Sequence, residues 1–274
     1  AKPLNTLTKD LPFHDAVDDS TAFLDPDNGD NSGPGGFAST VNDTAGVPPV
    51  TPAAFPPTAI GGAPAAKREV KKILVTGDSM TQPMDAIIGR RLADTGITVD
   101  RDVHIGTGIS STTLLDWGRL STKQAGKNFD AVVIFIGAND GFDIGKIKCC
   151  SAEWAAAYAT RVRTMMNTYR RDGATNVYWI TLPLPRDNKR AAISRTVNGS
   201  VRAAAAAYAR DVHIVDFTAL FTPGNTFRES MSVGGRDELV RLPDGIHLNE
   251  TGGEVAADAI MARMAQDYSN MPSR

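Results

Sequence analysis

AVVIFIGAND, residues 131–140, opens with six consecutive apolar residues and ends in a glycine, an amide and a carboxylate. A strand wet on one face alternates apolar and polar residues, whereas a strand apolar throughout is covered on both faces, as in a parallel sheet. Working outward, KKILVTG (71–77), NVYWITLPL (176–184) and VHIVDF (212–217) have the same character, and Thr98–Ile105 reads as a weaker strand. Helical spacing fills the gaps. Met80, Met84, Ile87, Ile88 and Leu92 share one face, as do Trp154, Tyr158, Val162, Met165 and Tyr169 in a helix from about Ser151 that Gly173 ends. Ile193, Val197, Val201 and Tyr208 mark another helix, weakened at Gly199, and Thr251 with Glu254 has capping-box spacing for the last. Strands alternating with helices predict an α/β domain over residues 69–270. It has three α/β/α layers around a five-stranded parallel sheet in flavodoxin-like order.

Residues 1–68 read differently. Positions 1–66 hold ten of the 16 prolines and seven of the 25 glycines, with eight Asp against two Lys. DPDNGDNSGPGG (25–36) and GVPPVTPAAFPPTAIGGAPAA (46–66) show no period of 2 or 3.6, which predicts an extended or disordered tail. DPDNGD lacks the EF-hand ligand pattern, so a solvated turn is expected rather than a calcium loop. The chain starts at Ala1. Such a tail ahead of a folded domain fits a secreted or cell-envelope protein whose signal or anchor has been removed.

The net charge of −2 is too small for a nucleic-acid footprint, and no run of 18 apolar residues is present to span a membrane. The two cysteines, Cys149 and Cys150, are adjacent. Neighbouring Cα atoms lie closer than the usual disulfide range, so two ordinary thiols near a helix start are expected, with a vicinal or intermolecular bridge as the alternative.

In open parallel sheets, ligands bind beyond the carboxyl ends of the strands. TGDSMTQP (76–83) puts Ser79 at the first exit, HIGTGISS (104–111) puts Gly106 and Gly108 at the second, and Asn139 follows the third. Beyond the fifth, LPDGIHLNETGG (242–253) supplies Asp244 and His247. Singly these have ordinary readings: a helix N-cap serine, a turn asparagine, a loop histidine. Jointly they place a hydroxyl, a glycine turn, an amide and an Asp/His pair on one edge. His104 and His213 fall within strands and His14 in the tail. The cluster lacks metal-ligand spacing, and no cofactor is expected.

GDS after the first strand, Gly108 in the second block, GAND after the third strand and DGIH near the C-terminus resemble the SGNH, or GDSL-type, serine hydrolases. The likeness spans about 70–270, and GTGISSTTLLDW, EWAAAYATRV and RLPDGIHLNETGG look closest to a bacterial cell-envelope branch. The second block departs from the commoner family form around its glycine. The resemblance implies a catalytic Ser79, Asp244 and His247, with an oxyanion hole from the N–H groups of Ser79 and Gly108 and the side chain of Asn139. The residue types suit that chemistry. A serine hydroxyl needs a base, an imidazole titrates near neutrality, and a carboxylate orients it. Ser79 at a helix start would add the positive end of a helix dipole, and Gly108 would keep the ester's approach clear.

The activity expected is hydrolysis of short-chain carboxylic esters, such as O-acetyl groups on carbohydrate, through an acyl-serine. Alternatives are acyl transfer to an envelope glycan, a lipase- or thioesterase-type reaction, and a non-catalytic glycan-binding module. GTGISS resembles a dinucleotide fingerprint but lacks its third glycine, and GxSxG is absent. The substrate partner is therefore a small-molecule or glycan ester. The stretches 107–128, 140–150 and 222–243 are expected to wall the pocket, with Arg228, Arg236 and Arg241 placed to meet an anionic or sugar-rich substrate.

Overall fold

The computed structural model describes residues 67–272. Strands β1 (Lys72–Gly77), β2 (Thr98–Val103), β3 (Ala131–Phe135), β4 (Asn176–Ile180) and β5 (Val212–Val215) form one sheet. Its order is β2-β1-β3-β4-β5 and every pair is parallel, the flavodoxin-like arrangement expected. No residue of β1, β3 or β4 is exposed, whereas the edge strand β2 is half-buried or exposed throughout, as its TVDRDV sequence requires.

Helices α1 (Met84–Leu92) and α6 (Glu250–Met264) pack together. α2 (Trp117–Ala125), α3 (Ala152–Arg170) and α4 (Asn188–Ala205) pack side by side, giving three layers. A short α5 (Phe217–Phe221) follows β5 and sets Phe217 edge-on to Phe135, with ring centroids 5.4 Å apart. Trp154, Trp179, Tyr158, Tyr169 and Tyr178 are fully buried between sheet and helices. No helix among the described residues is long and apolar enough to cross a membrane.

Several local expectations are corrected. Met80 is not part of α1: Ser79–Thr81 form a single 3-10 turn, and the α-helix begins beyond Pro83. Residues 117–125, expected as loop, are a helix capped by Asp116, whose carboxylate accepts from the Arg119 N–H. α6 is not opened by a Thr251/Glu254 box; Asn249 caps it through the Gly252 N–H, and Glu254 pairs with Arg90 and Arg91 of α1. α4 runs straight through Gly199. Two residues before the expected stop at Gly173, Arg171 turns α3 off in the left-handed region (φ 47°). Segment 222–243 contains a hairpin of β6 (Ser230–Val233) and β7 (Arg236–Leu239). Cys149 and Cys150 are joined to each other rather than being two thiols. The tail reading and the DPDNGD turn lie outside the described residues.

Candidate active site

β1, hydrogen-bonded between β2 and β3, delivers Asp78 and Ser79 to the carboxyl edge of the sheet. Asp78 is fully buried. Its Oδ1 accepts from the Met80 N–H at 2.9 Å, and its Oδ2 from the Gly137 and Ala138 N–H groups at 2.9 and 3.0 Å. Burial pushes its carboxyl up to about 6 even though those three N–H groups hold it down. The carboxylate thus ties the β1 exit to the β3 exit and fixes the turn that presents Ser79.

His247 comes from the opposite end of the chain. Residues 240–249 fold back on themselves: the Asn249 N–H reaches the Val240 carbonyl at 3.2 Å, and the Leu242 N–H reaches the His247 carbonyl at 2.9 Å. Gly245, in the left-handed region (φ 70°), makes the turn inside this loop, and a Cβ there would strike the Arg186 side chain at 2.7 Å. The Asp244 Oδ1 accepts from the Ile246 and His247 N–H groups at 2.8 and 3.0 Å, while its Oδ2 lies 2.6 Å from His247 Nδ1. With the Nδ1 proton directed at Asp244, Nε2 is the acceptor, and it lies 2.8 Å from Ser79 Oγ across 168 residues of sequence. Burial raises the Asp244 carboxyl, but the His247 hydrogen bond, the Ile246 N–H and the imidazole charge outweigh it and bring it to about 2.

The groups expected as oxyanion donors are Ser79, Gly108 and Asn139. Neither the Ser79 nor the Gly108 backbone N–H donates to any acceptor among the described residues. Asn139 Nδ2 donates to the Thr107 carbonyl at 3.2 Å, and its other contact, Asp78 Oδ2, stands at 3.5 Å, the limit of a hydrogen bond. One amide hydrogen therefore orients the group and the other is only weakly engaged. Two expectations change here. Ser79 sits on a three-residue turn, so no α-helix dipole points at it. Gly108 is required for a reason behind the site: a Cβ there would strike Asp140 Oδ1 at 2.6 Å.

Sequence reasoning did not single out the groups beneath. Buried Asp140 accepts from the Ser110 N–H at 2.6 Å and from the Tyr158 hydroxyl at 2.5 Å. Arg161 of α3 donates to the Ile109 and Ser110 carbonyls, both at 2.8 Å. Burial raises the Asp140 carboxyl, the Tyr158 and Ser110 donors opposing it. Together these groups pin the loop that carries Gly108. The available signal was a carboxylate following Asn139 at the end of an otherwise apolar strand.

Of the three arginines expected at the pocket, Arg228 and Arg236 are exposed on the 222–243 segment, but Arg241 is buried. Of the large apolar side chains exposed among the described residues, Ile105, Leu114, Phe142 and Leu242 stand on loops and Leu239 ends β7. No cluster of His, Cys, Asp or Glu among the described residues has the geometry to hold a metal.

A family model described as a protein of unknown function (DUF459) matches residues 72–263. Solved structures share the fold. A catalytic mutant of Axe2, an acetylxylan esterase from Geobacillus stearothermophilus, is 16% identical with a TM-score of 0.51, covering 76% of this chain and 99% of its own. LAE5, an alpha/beta hydrolase enzyme from the metagenome of Lake Arreo, Spain, is 17% identical with a TM-score of 0.50, covering 73% and 97%. The acetyl xylan esterase AlAXEase is 18% identical with a TM-score of 0.49, covering 70% and 98%. No curated protein matches the chain. The three-layer architecture is that of the SGNH hydrolases.

Proposed function

The chain belongs to the DUF459 family, and we propose that it is a serine esterase cleaving short-chain carboxylic esters through an acyl-serine intermediate. The observation that carries this reading is the line from Ser79 Oγ to His247 Nε2 (2.8 Å) and from Nδ1 to Asp244 (2.6 Å).

In this mechanism Nε2 takes the Ser79 proton as Oγ attacks the ester carbonyl. The oxyanion is received by the Ser79 and Gly108 N–H groups and the Asn139 amide, which lower the barrier as fixed donors. His247 then gives its proton to the departing alcohol, leaving acyl-Ser79. Water attacks that ester, its proton passing to Nε2, and the acid leaves as Ser79 recovers its proton from His247. Asp244 holds the tautomer and stabilises the imidazolium throughout.

A short acyl group is favoured by the space beside the nucleophile. Met80, Ala138 and Ile246, each adjacent in sequence to a site residue, form a cavity with Leu182, Pro183, Pro185, Arg190 and Ser194. It measures about 10 Å3, room for roughly one water-sized group. Space of that size suits a methyl better than a long chain. O-acetyl groups on carbohydrate fit this limit, and acetylxylan esterases share the fold. The test is hydrolysis of p-nitrophenyl esters from C2 to C12. Ser79→Ala should abolish turnover with an unchanged melting temperature, and kcat/KM should be highest at C2. Normal hydrolysis by Ser79→Ala overturns the nucleophile, and a preference for C8 or longer overturns the acyl limit.

A further inference from the structure

Arg241 is 4% exposed, yet it makes no ion pair among the described residues. Its Nη1 donates to the Ile246 carbonyl at 2.9 Å and its Nη2 to the Leu184 carbonyl at 2.6 Å, while Nε finds no acceptor. Its guanidinium carbon lies 5.4 Å from the centre of the Phe227 ring, and that of Arg186 lies 5.2 Å from the same ring. Arg186 holds the same loop from outside. Its backbone N–H bonds the Gly245 carbonyl at 2.9 Å, its Nη1 bonds the Pro243 carbonyl at 3.2 Å, and it pairs with Glu229.

Burying a charge without an ion-pair contact costs stability, and for folding alone an apolar side chain of similar volume would serve as well or better. A guanidinium offers something an apolar group lacks: a rigid planar fork that can bridge two fixed acceptors. Here one acceptor lies beyond β4 and the other immediately precedes His247. The loop Leu242–His247 is not part of the main sheet, and it is joined to the β4 side of the scaffold at two places: Arg186 holds Pro243 and Gly245, and the Arg241 bridge holds Ile246, the residue next to His247. Desolvation lowers the Arg241 pKa to about 10, with Asp244 opposing, so the side chain stays charged at neutral pH.

We propose that Arg241 is a positioning residue: stacked on Phe227, it fixes the Asp244–His247 loop against the β4 exit so that Nε2 stays within reach of Ser79 Oγ. The role rests on the esterase reading above. It also couples the 222–243 rim, through Phe227, to the geometry of the proposed triad.

The experiment compares Arg241→Met and Arg241→Lys with the unaltered chain on p-nitrophenyl acetate. It also records the low-field proton resonance of His247 Nδ1–H bound to Asp244. Arg241→Met should lower kcat about 10²-fold, the cost of an ångström-scale misplacement, with KM changed less than about threefold. Its low-field resonance should broaden or vanish, and added guanidinium ion should restore part of kcat. Arg241→Lys, which keeps the charge and one bond, should fall between. A folded Arg241→Met with unaltered kcat and resonance overturns the proposal, as does a loss confined to KM. Should that variant not fold, Phe227→Ala removes the half-buried ring instead, with a several-fold loss of kcat and the same broadening expected. Unaltered values there overturn the proposal equally. An unaltered chain with no Ser79-dependent turnover defeats the esterase reading alone, because the resonance still reports whether Arg241 orders the loop.

Discussion

Ser79 and His247 stand 2.8 Å apart but are carried there by opposite kinds of structure. Ser79 rides the end of β1, whose neighbours hold it by main-chain bonds on both sides, and the Asp78 carboxylate locks the exit to β3. His247 rides a turn outside the sheet, with a few main-chain bonds of its own (Leu242 to His247, Asn249 to Val240, Arg186 to Gly245) and side chains that reach main-chain carbonyls: Arg241 to Ile246, Arg186 to Pro243 and Asn249 to Leu239. The difference shows where precision resides. A parallel sheet supplies position through its backbone, so many side chains there can change without moving the hydroxyl. A loop with only a few main-chain bonds has to obtain the rest of its precision from polar side chains, each of which is then exposed to single substitutions.

The sharpest way to break this comparison is at Asp244. Asp244→Asn should lower kcat by about 10⁴-fold by favouring the wrong imidazole tautomer, with the nucleophile side undisturbed. It should also change acid stability. The folded carboxyl titrates at about 2 against an ordinary value of 3.8, so its contribution is complete above about pH 4 and is lost as pH falls through 2. The stability gap between the unaltered chain and Asp244→Asn, measured by urea unfolding, should therefore narrow between pH 4 and pH 2. Parallel profiles for the two would place Asp244 outside this network.

On the sheet side, Asn139→Ala should cost about 10² to 10³ in kcat with KM changed less, since only the oxyanion is deprived of a donor. Its melting temperature should move little, because Asp78 keeps its three main-chain partners without the amide. A loss seen only in KM would remove Asn139 from the oxyanion hole.

The same contrast explains what the sequence disclosed. β1, β3 and β4 were legible because burial on both faces forces unbroken apolar runs, and a parallel sheet forces chemistry to its carboxyl edge. Ser79, Asn139, Asp244 and His247 were therefore singled out by position as much as by type. α2 was not, because the inner face of WGRLSTKQA carries only Trp117, Leu120 and Ala125 as apolar residues and is completed by buried Ser121 and Gln124, whose amide reaches Asp102. Nor were the supports of the loop. Arg241 looks like any charged residue of a polar stretch, and its burial depends on Leu184, 57 residues upstream. Asp78 and Asp140 are neighbours of site residues, but only the folded chain shows how many N–H groups turn toward them.

The smallest expected effect separates the two supports of the His247 loop. Asn249 caps α6 through the Gly252 N–H at 2.8 Å and closes the base of the loop through the Leu239 carbonyl at 2.8 Å. Asn249→Ala removes a helix cap, worth about 1 kcal/mol, and should lower the melting temperature by about 2–4 °C for a domain of this size. If the Arg241 bridge sets the position of the imidazole, kcat should fall less than about threefold, since that bridge joins Ile246 to Leu184 without using Asn249. A loss of kcat as large as that of Arg241→Met would instead assign the placement of His247 to the cap of α6, and the loop would owe its geometry to the helix that follows it.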